Sequence, residues 1–74
     1  MAKLVDMLRT SAEAEKAKAL LSLELLGSKE VGIGDHSTGD FYKNAEEALM
    51  MLVDADDRLE ALSKYFDAKG QING

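Results

Sequence analysis

A glycine-rich segment, residues 27–39, holds the residue types in this chain that could do chemistry. Its candidate ligand-binding residues are two glycines, an acid, the one histidine and two hydroxyl residues, namely Gly32, Gly34, Asp35, His36, Ser37 and Thr38. Backbone N–H groups beside glycines and at the start of a helix bind anions. The segment is therefore a candidate loop for a small anion or a nucleotide. The alternative is a structural loop whose Val31 and Ile33 close the end of a helical bundle.

The same segment supports metal binding and catalysis less well than it supports anion binding. His36 lies near Asp35 and Asp40, a donor set that could hold a divalent metal, but a single His beside a helix start is more often a capping or surface group. Ser37 adjoins His36 without a third group to orient the imidazole. The chain contains no Cys, so it has no thiolate ligand or nucleophile. We predict no catalytic residue, no metal site and no cofactor, and a protein that is not an enzyme.

The charge of the chain is unevenly distributed. Nine basic and fourteen acidic residues give a net charge of −5, and residues 40–67 hold eight of the acidic residues against three basic ones. Phosphate backbones are bound by clustered Lys and Arg, so we predict no direct binding of nucleic acid. The acidic segment leaves one alternative open, a decoy that imitates nucleic acid and blocks a basic host protein.

The distribution of apolar residues argues against a membrane. No apolar run approaches the roughly 20 residues that cross a bilayer, and Asp6 and Arg9 interrupt the segment where a signal peptide would be apolar. We therefore predict a cytoplasmic protein.

Glycine placement predicts two helices in a single domain, residues 1–74. Residues 2–26 are rich in strong helix formers, and Gly27 stands where a left-handed residue would end the helix. A second helix is predicted over about 38–68, with Ser37 and Asp40 as a capping box, and residues 69–74 as a frayed tail. The predicted fold is all-α, a two-helix antiparallel hairpin connected by the glycine-rich loop 27–39.

The second helix carries a continuous apolar seam. Its members alternate at spacings of four and three residues: Phe41, Ala45, Ala48, Leu52, Ala55, Leu59, Leu62 and Phe66. This spacing is typical of a helix that packs against another helix as in a coiled coil. On its surface, Asp54 with Arg58 and Glu60 with Lys64 are spaced for ion pairs along the helix.

The first helix has two apolar stripes rather than one. The first contains Leu4, Val5, Leu8, Ala12, Ala19, Leu23 and Leu26, and the second contains Met7, Ala14, Ala17, Leu21 and Leu25. A helix with a single partner needs one stripe, so the second stripe indicates a further contact. A chain this small also gains little stability from its own core. We therefore predict self-association, most simply a dimer of hairpins that forms a four-helix bundle with Leu8, Leu21 and Leu25 in its seams.

Glu15 is the one charged residue within the first stripe. Either the stripe is loose at this level and the carboxylate reaches solvent, or Glu15 is partly buried and pairs with a Lys or Arg across a helix interface. In the second case the pair would fix the register of the two helices.

Residues 31–49, VGIGDHSTGDFYKNAEEAL, together with residues 54–60, DADDRLE, resemble short uncharacterised helical proteins of T-even-like marine bacteriophages. The resemblance implies a small phage-encoded accessory protein that acts in the cytoplasm of a bacterial host, and it implies no activity. From the residues we predict a non-enzymatic interaction or binding module whose partner is a second copy of itself. A host protein is a further candidate partner, and the small-anion binder and the acidic decoy remain the alternatives.

Overall fold

The computed structural model describes residues 1–29 and 38–67, with the backbone alone described for Lys29 and Thr38. These residues form two α-helices, α1 (Ala2–Lys29) and α2 (Thr38–Phe66), and the described part of the chain contains no strand. The tail 69–74 and the loop residues Val31 and Ile33, predicted to close a bundle end, lie outside the described residues.

The two helices lie side by side and antiparallel. Glu15 and Lys16 of α1 contact Arg58 and Asp56 of α2, and the start of α1 lies beside Phe66 at the end of α2. All the long-range contacts of the described residues join α1 to α2. The all-helical hairpin predicted from the sequence is therefore confirmed at the level of one chain.

The predicted end of the first helix needs correction. Helix α1 continues through Gly27 to Lys29, and no described glycine has a positive φ. Gly27 adopts ordinary helical geometry, which glycine tolerates at a cost of about 1 kcal/mol relative to alanine. The Ser28 hydroxyl donates a hydrogen bond to the Leu25 carbonyl oxygen at 2.9 Å. A hydroxyl that bonds a carbonyl three residues earlier is a common local arrangement for serine within a helix.

Helix α2 begins at Thr38 and ends at Phe66, two residues before the predicted end. Asp40 lies in its first turn, where a negative charge interacts favourably with the helix dipole, and Lys64 lies in its last turn, where a positive charge does. The other half of the predicted capping box, Ser37, lies outside the described residues.

The contact between the helices is built mainly from alanine. The buried residues recur every seven positions on each helix: Val5, Ala12 and Ala19 on α1, and Ala48, Ala55 and Leu62 on α2. Three of these alanines, Ala12, Ala19 and Ala55, have 0% exposure. Short side chains at every second turn let two backbones approach closely. The core of one chain is consequently thin, because only Val5 and Leu62 among the described large apolar residues are buried, each with 8% exposure.

Candidate interaction surface

An ion-pair cluster lies midway along one flank of the hairpin and joins the two helices. Arg58 donates from Nη2 to Oε1 of Glu15 at 2.6 Å and from Nε to Oδ2 of Asp54 at 3.0 Å. The predicted pair of Asp54 and Arg58 on α2 is therefore present, and Arg58 also crosses to α1. Glu15, whose environment the sequence left open, retains 42% side-chain exposure and pairs across the helix interface.

The cluster further favours the charged form of Arg58. The hydrogen bond to Glu15 raises the pKa of the Arg58 guanidinium, and the nearby negative charges of Asp54 and Glu15 act in the same direction, while partial desolvation opposes them. Within the described residues the Nη1 nitrogen of Arg58 has no partner. The guanidinium therefore has donors left for a further acceptor.

An apolar groove lies beside the cluster, toward the start of α1. It has a volume of about 220 Å³ and is lined by residues of both helices: Leu8, Ser11, Arg58, Ala61, Leu62 and Phe66. Leu8 and Phe66 are each 41% exposed in the isolated chain. Their apolar surface is in contact with water.

A second groove lies toward the end of α1. Its volume is about 400 Å³, and its lining is Ser22, Leu25, Leu26, Asn44, Glu47, Ala48 and Met51. Spacings of three, four or seven residues place both grooves and the ion-pair cluster on one side of the hairpin. We call this side the groove flank; its exposed or half-buried members include Leu8, Ser11, Glu15, Ser22 and Leu25 on α1, and Met51, Asp54, Arg58 and Ala61 on α2.

The opposite flank carries its own ion pair. Lys16 Nζ lies 3.1 Å from Asp56 Oδ1, with side-chain exposures of 42% and 53%. Four leucines share this flank, Leu20, Leu23, Leu49 and Leu52, of which Leu20 and Leu49 are exposed. Both flanks of the hairpin thus combine apolar side chains with a charged contact between the helices.

Replacing Asp56 with Asn is expected to change the free energy of unfolding by less than about 1 kcal/mol, because half-exposed ion pairs are screened by water and salt. Urea denaturation of the variant and the wild-type chain measures the difference. Asp57→Asn, one residue along the same helix, is the matched control for the loss of one negative charge. A loss of several kcal/mol in Asp56→Asn alone would show that this pair holds the hairpin together.

The predicted seam residues differ widely in their burial. On α2, Ala48, Ala55 and Leu62 are buried, Phe41, Ala45, Leu52 and Leu59 are half-buried, and Phe66 is exposed. On α1, Leu8, Leu21 and Leu25 are 41%, 55% and 51% exposed. Met7, Ala14 and Ala17 of the second α1 stripe are also exposed. The stripe that α2 does not cover is thus in contact with solvent.

The candidate ligand-binding residues of the loop fall outside this description. Gly32, Gly34, Asp35, His36 and Ser37 are not described, and Thr38 is described by its backbone alone. Within residues 1–29 and 38–67 no group of three or more acidic or histidine side chains is arranged to hold a metal ion. Neither α1 nor α2 has a stretch long and apolar enough to cross a bilayer.

The carboxylates of α2 share its surface with apolar side chains. Asp54 and Asp56 are engaged with Arg58 and Lys16, respectively. Met50 and Val53, which stand near them in the sequence, are 67% and 51% exposed. At the other end of α2, Lys64 lies over the Tyr65 ring, 5.3 Å from its centroid. The outer surface of α2 is therefore mixed in character.

Comparison of the chain with models of protein families, with curated proteins and with solved structures finds no match.

Proposed function

We propose that this protein is a non-enzymatic interaction module, a helical hairpin that pairs with a second copy of itself to form a four-helix bundle. The main support for the proposal is the exposure of large apolar side chains. Thirteen of them in the described residues are between 41% and 75% exposed, and they lie along both helices. Scattered single cases are ordinary in monomers, whereas larger exposed apolar areas are typical of interaction surfaces.

The stability of a single chain also supports this proposal. Among the described residues, the contact between the helices buries four alanines but only two larger apolar residues, Val5 and Leu62. A dimer interface of ordinary size buries about 800 Å² per partner. The apolar part of that area would add stability at about 25 cal/mol per Å².

The resemblance of residues 31–60 to phage proteins extends the proposal to its setting. It favours a small phage-encoded accessory protein that acts in the cytoplasm of a host cell. Once the hairpins have paired, the outward-facing residues of the bundle would remain available to a host protein. Such a partner would then bind the dimer rather than a single hairpin.

Light scattering coupled to size-exclusion chromatography tests the self-association. We expect a species of twice the chain mass at micromolar concentration. We also expect a melting temperature that rises with protein concentration, since association stabilises the folded state by mass action. A fully helical species of 8.0 kDa with a concentration-independent melting temperature would contradict the proposal.

A further inference from the structure

The features of the groove flank are arranged on either side of its middle. An apolar groove lies at one end, a groove with both apolar and polar lining residues lies at the other, and the cluster of Glu15, Arg58 and Asp54 lies between them. Glu15 is also close to the midpoint of α1, which runs from Ala2 to Lys29. A face with a groove at each end and charged residues in the middle can meet a copy of itself with like regions in contact.

The area of this flank suits a second copy. Helices of 28 and 29 residues are each about 42 Å long, and two of them side by side are about 20 Å wide. The flank therefore offers about 800 Å², which is the area that each partner contributes to an ordinary stable interface.

Two symmetric arrangements of the helices are available, and charge distinguishes them. A two-fold axis perpendicular to the helices packs α1 against α1 and α2 against α2, whereas an axis parallel to the helices packs each α1 against the other chain's α2. Helix α2 has seven acidic and three basic residues, and α1 has four acidic and five basic residues. Pairing like helices brings two acidic α2 helices together, and pairing unlike helices avoids this repulsion.

The charged residues in the middle of the groove flank also favour the pairing of unlike helices. With like helices paired, the axis near the midpoint of α1 sets Glu15 against the same carboxylate of the other chain. With unlike helices paired, Glu15 faces a second Arg58, whose Nη1 has no partner within the described residues. Like charges in contact at an interface destabilise it, and a guanidinium with free donors stabilises a carboxylate.

We propose that the second copy binds to the groove flank with its α2 against α1, so that each Glu15 lies between its own Arg58 and the partner's Arg58. This inference rests on the proposed self-association and adds the surface and the helix pairing. The parallel axis keeps each level of the hairpin at the same height in both chains. Each groove therefore meets its own counterpart, and Leu8 and Leu25 become buried at the two ends of the bundle.

Disulfide formation between singly substituted chains tests the pairing, because the natural chain has no Cys. Ser11 and Ala61 line the same groove, one on each helix. In the proposed dimer, Ser11 of one chain therefore lies across the interface from Ala61 of the other. Chains carrying only Ser11→Cys, mixed with chains carrying only Ala61→Cys and oxidised, are expected to give a disulfide-linked species of twice the chain mass. Each chain oxidised alone is expected to give none.

Two further mixtures test the other possible arrangements of the dimer. If like helices pair about the middle of α1, Ser11→Cys links to Lys18→Cys, because these residues lie at similar distances on either side of Glu15. If unlike helices pair through the opposite flank, Leu20→Cys links to Leu52→Cys, because these residues share that flank and lie at the same height, as Lys16 and Asp56 do. Linkage in either mixture with none between Ser11→Cys and Ala61→Cys would overturn the inference and leave self-association standing. A wild-type mass of one chain would instead overturn the self-association itself.

Discussion

Replacing Ala19 with Glu is expected to unfold the hairpin at room temperature. Ala19 has 0% exposure, in a contact where alanines from both helices meet. A carboxylate at this position would be buried without a partner or would force the helices apart, and either outcome costs several kcal/mol. A single core of this size rarely provides more than about 3–5 kcal/mol in total, so little folded protein would remain.

Ala17→Glu is the matched control, because Ala17 lies two residues away on the same helix and is exposed. It carries the same change in charge and volume and is expected to melt close to the wild type. Far-ultraviolet circular dichroism during heating compares the two variants. Equal melting of both variants would show that the alanine contact is not the core.

Replacing Leu8 with Asp is expected to dissociate the dimer. Leu8 lines the groove near Leu62 and Phe66, and in the proposed bundle it is covered by the second copy. Placing a charged group there removes an apolar contact and leaves a desolvated carboxylate, an effect of about 2 kcal/mol or about thirty-fold in the dissociation constant. Sedimentation equilibrium of the variant and the wild type measures this change.

Leu20→Asp makes the same substitution on the opposite flank, where Leu20 is 46% exposed compared with 41% for Leu8. It is expected to leave the dissociation constant within a few-fold of the wild type. A larger effect at Leu20 than at Leu8 would place the interface on the opposite flank.

The apolar spacing on α2 predicted that helix well, because its alternation of three and four residues has a single physical explanation. The end of α1 was predicted less well. Gly27 can terminate a helix with a positive φ or continue it with a negative one, and its side chain, a single hydrogen, does not decide between them. The structure shows the second case, with α1 extending to Lys29.

The sequence alone did not determine whether Glu15 pairs across the helix interface or which residue it contacts. The pair of Asp54 and Arg58 could be predicted from the sequence, because residues four positions apart on a helix are neighbours. The contact with Glu15 joins residues 43 positions apart and depends on how the two helices are aligned. Several axial alignments of two alanine-lined helices bury similar apolar areas, so composition and periodicity do not choose between them.

The alanine contact has a consequence for how the hairpin moves. A methyl group has no rotamers to freeze and projects too little to interlock with the opposing helix, so one helix can shift along the other at low cost. The charged contacts of Glu15 with Arg58 and of Lys16 with Asp56 oppose that sliding, together with the larger buried side chains of Val5 and Leu62. Dissolved salt weakens partly exposed contacts of this kind. Ionic strength therefore acts on the alignment of the helices more than on whether they touch.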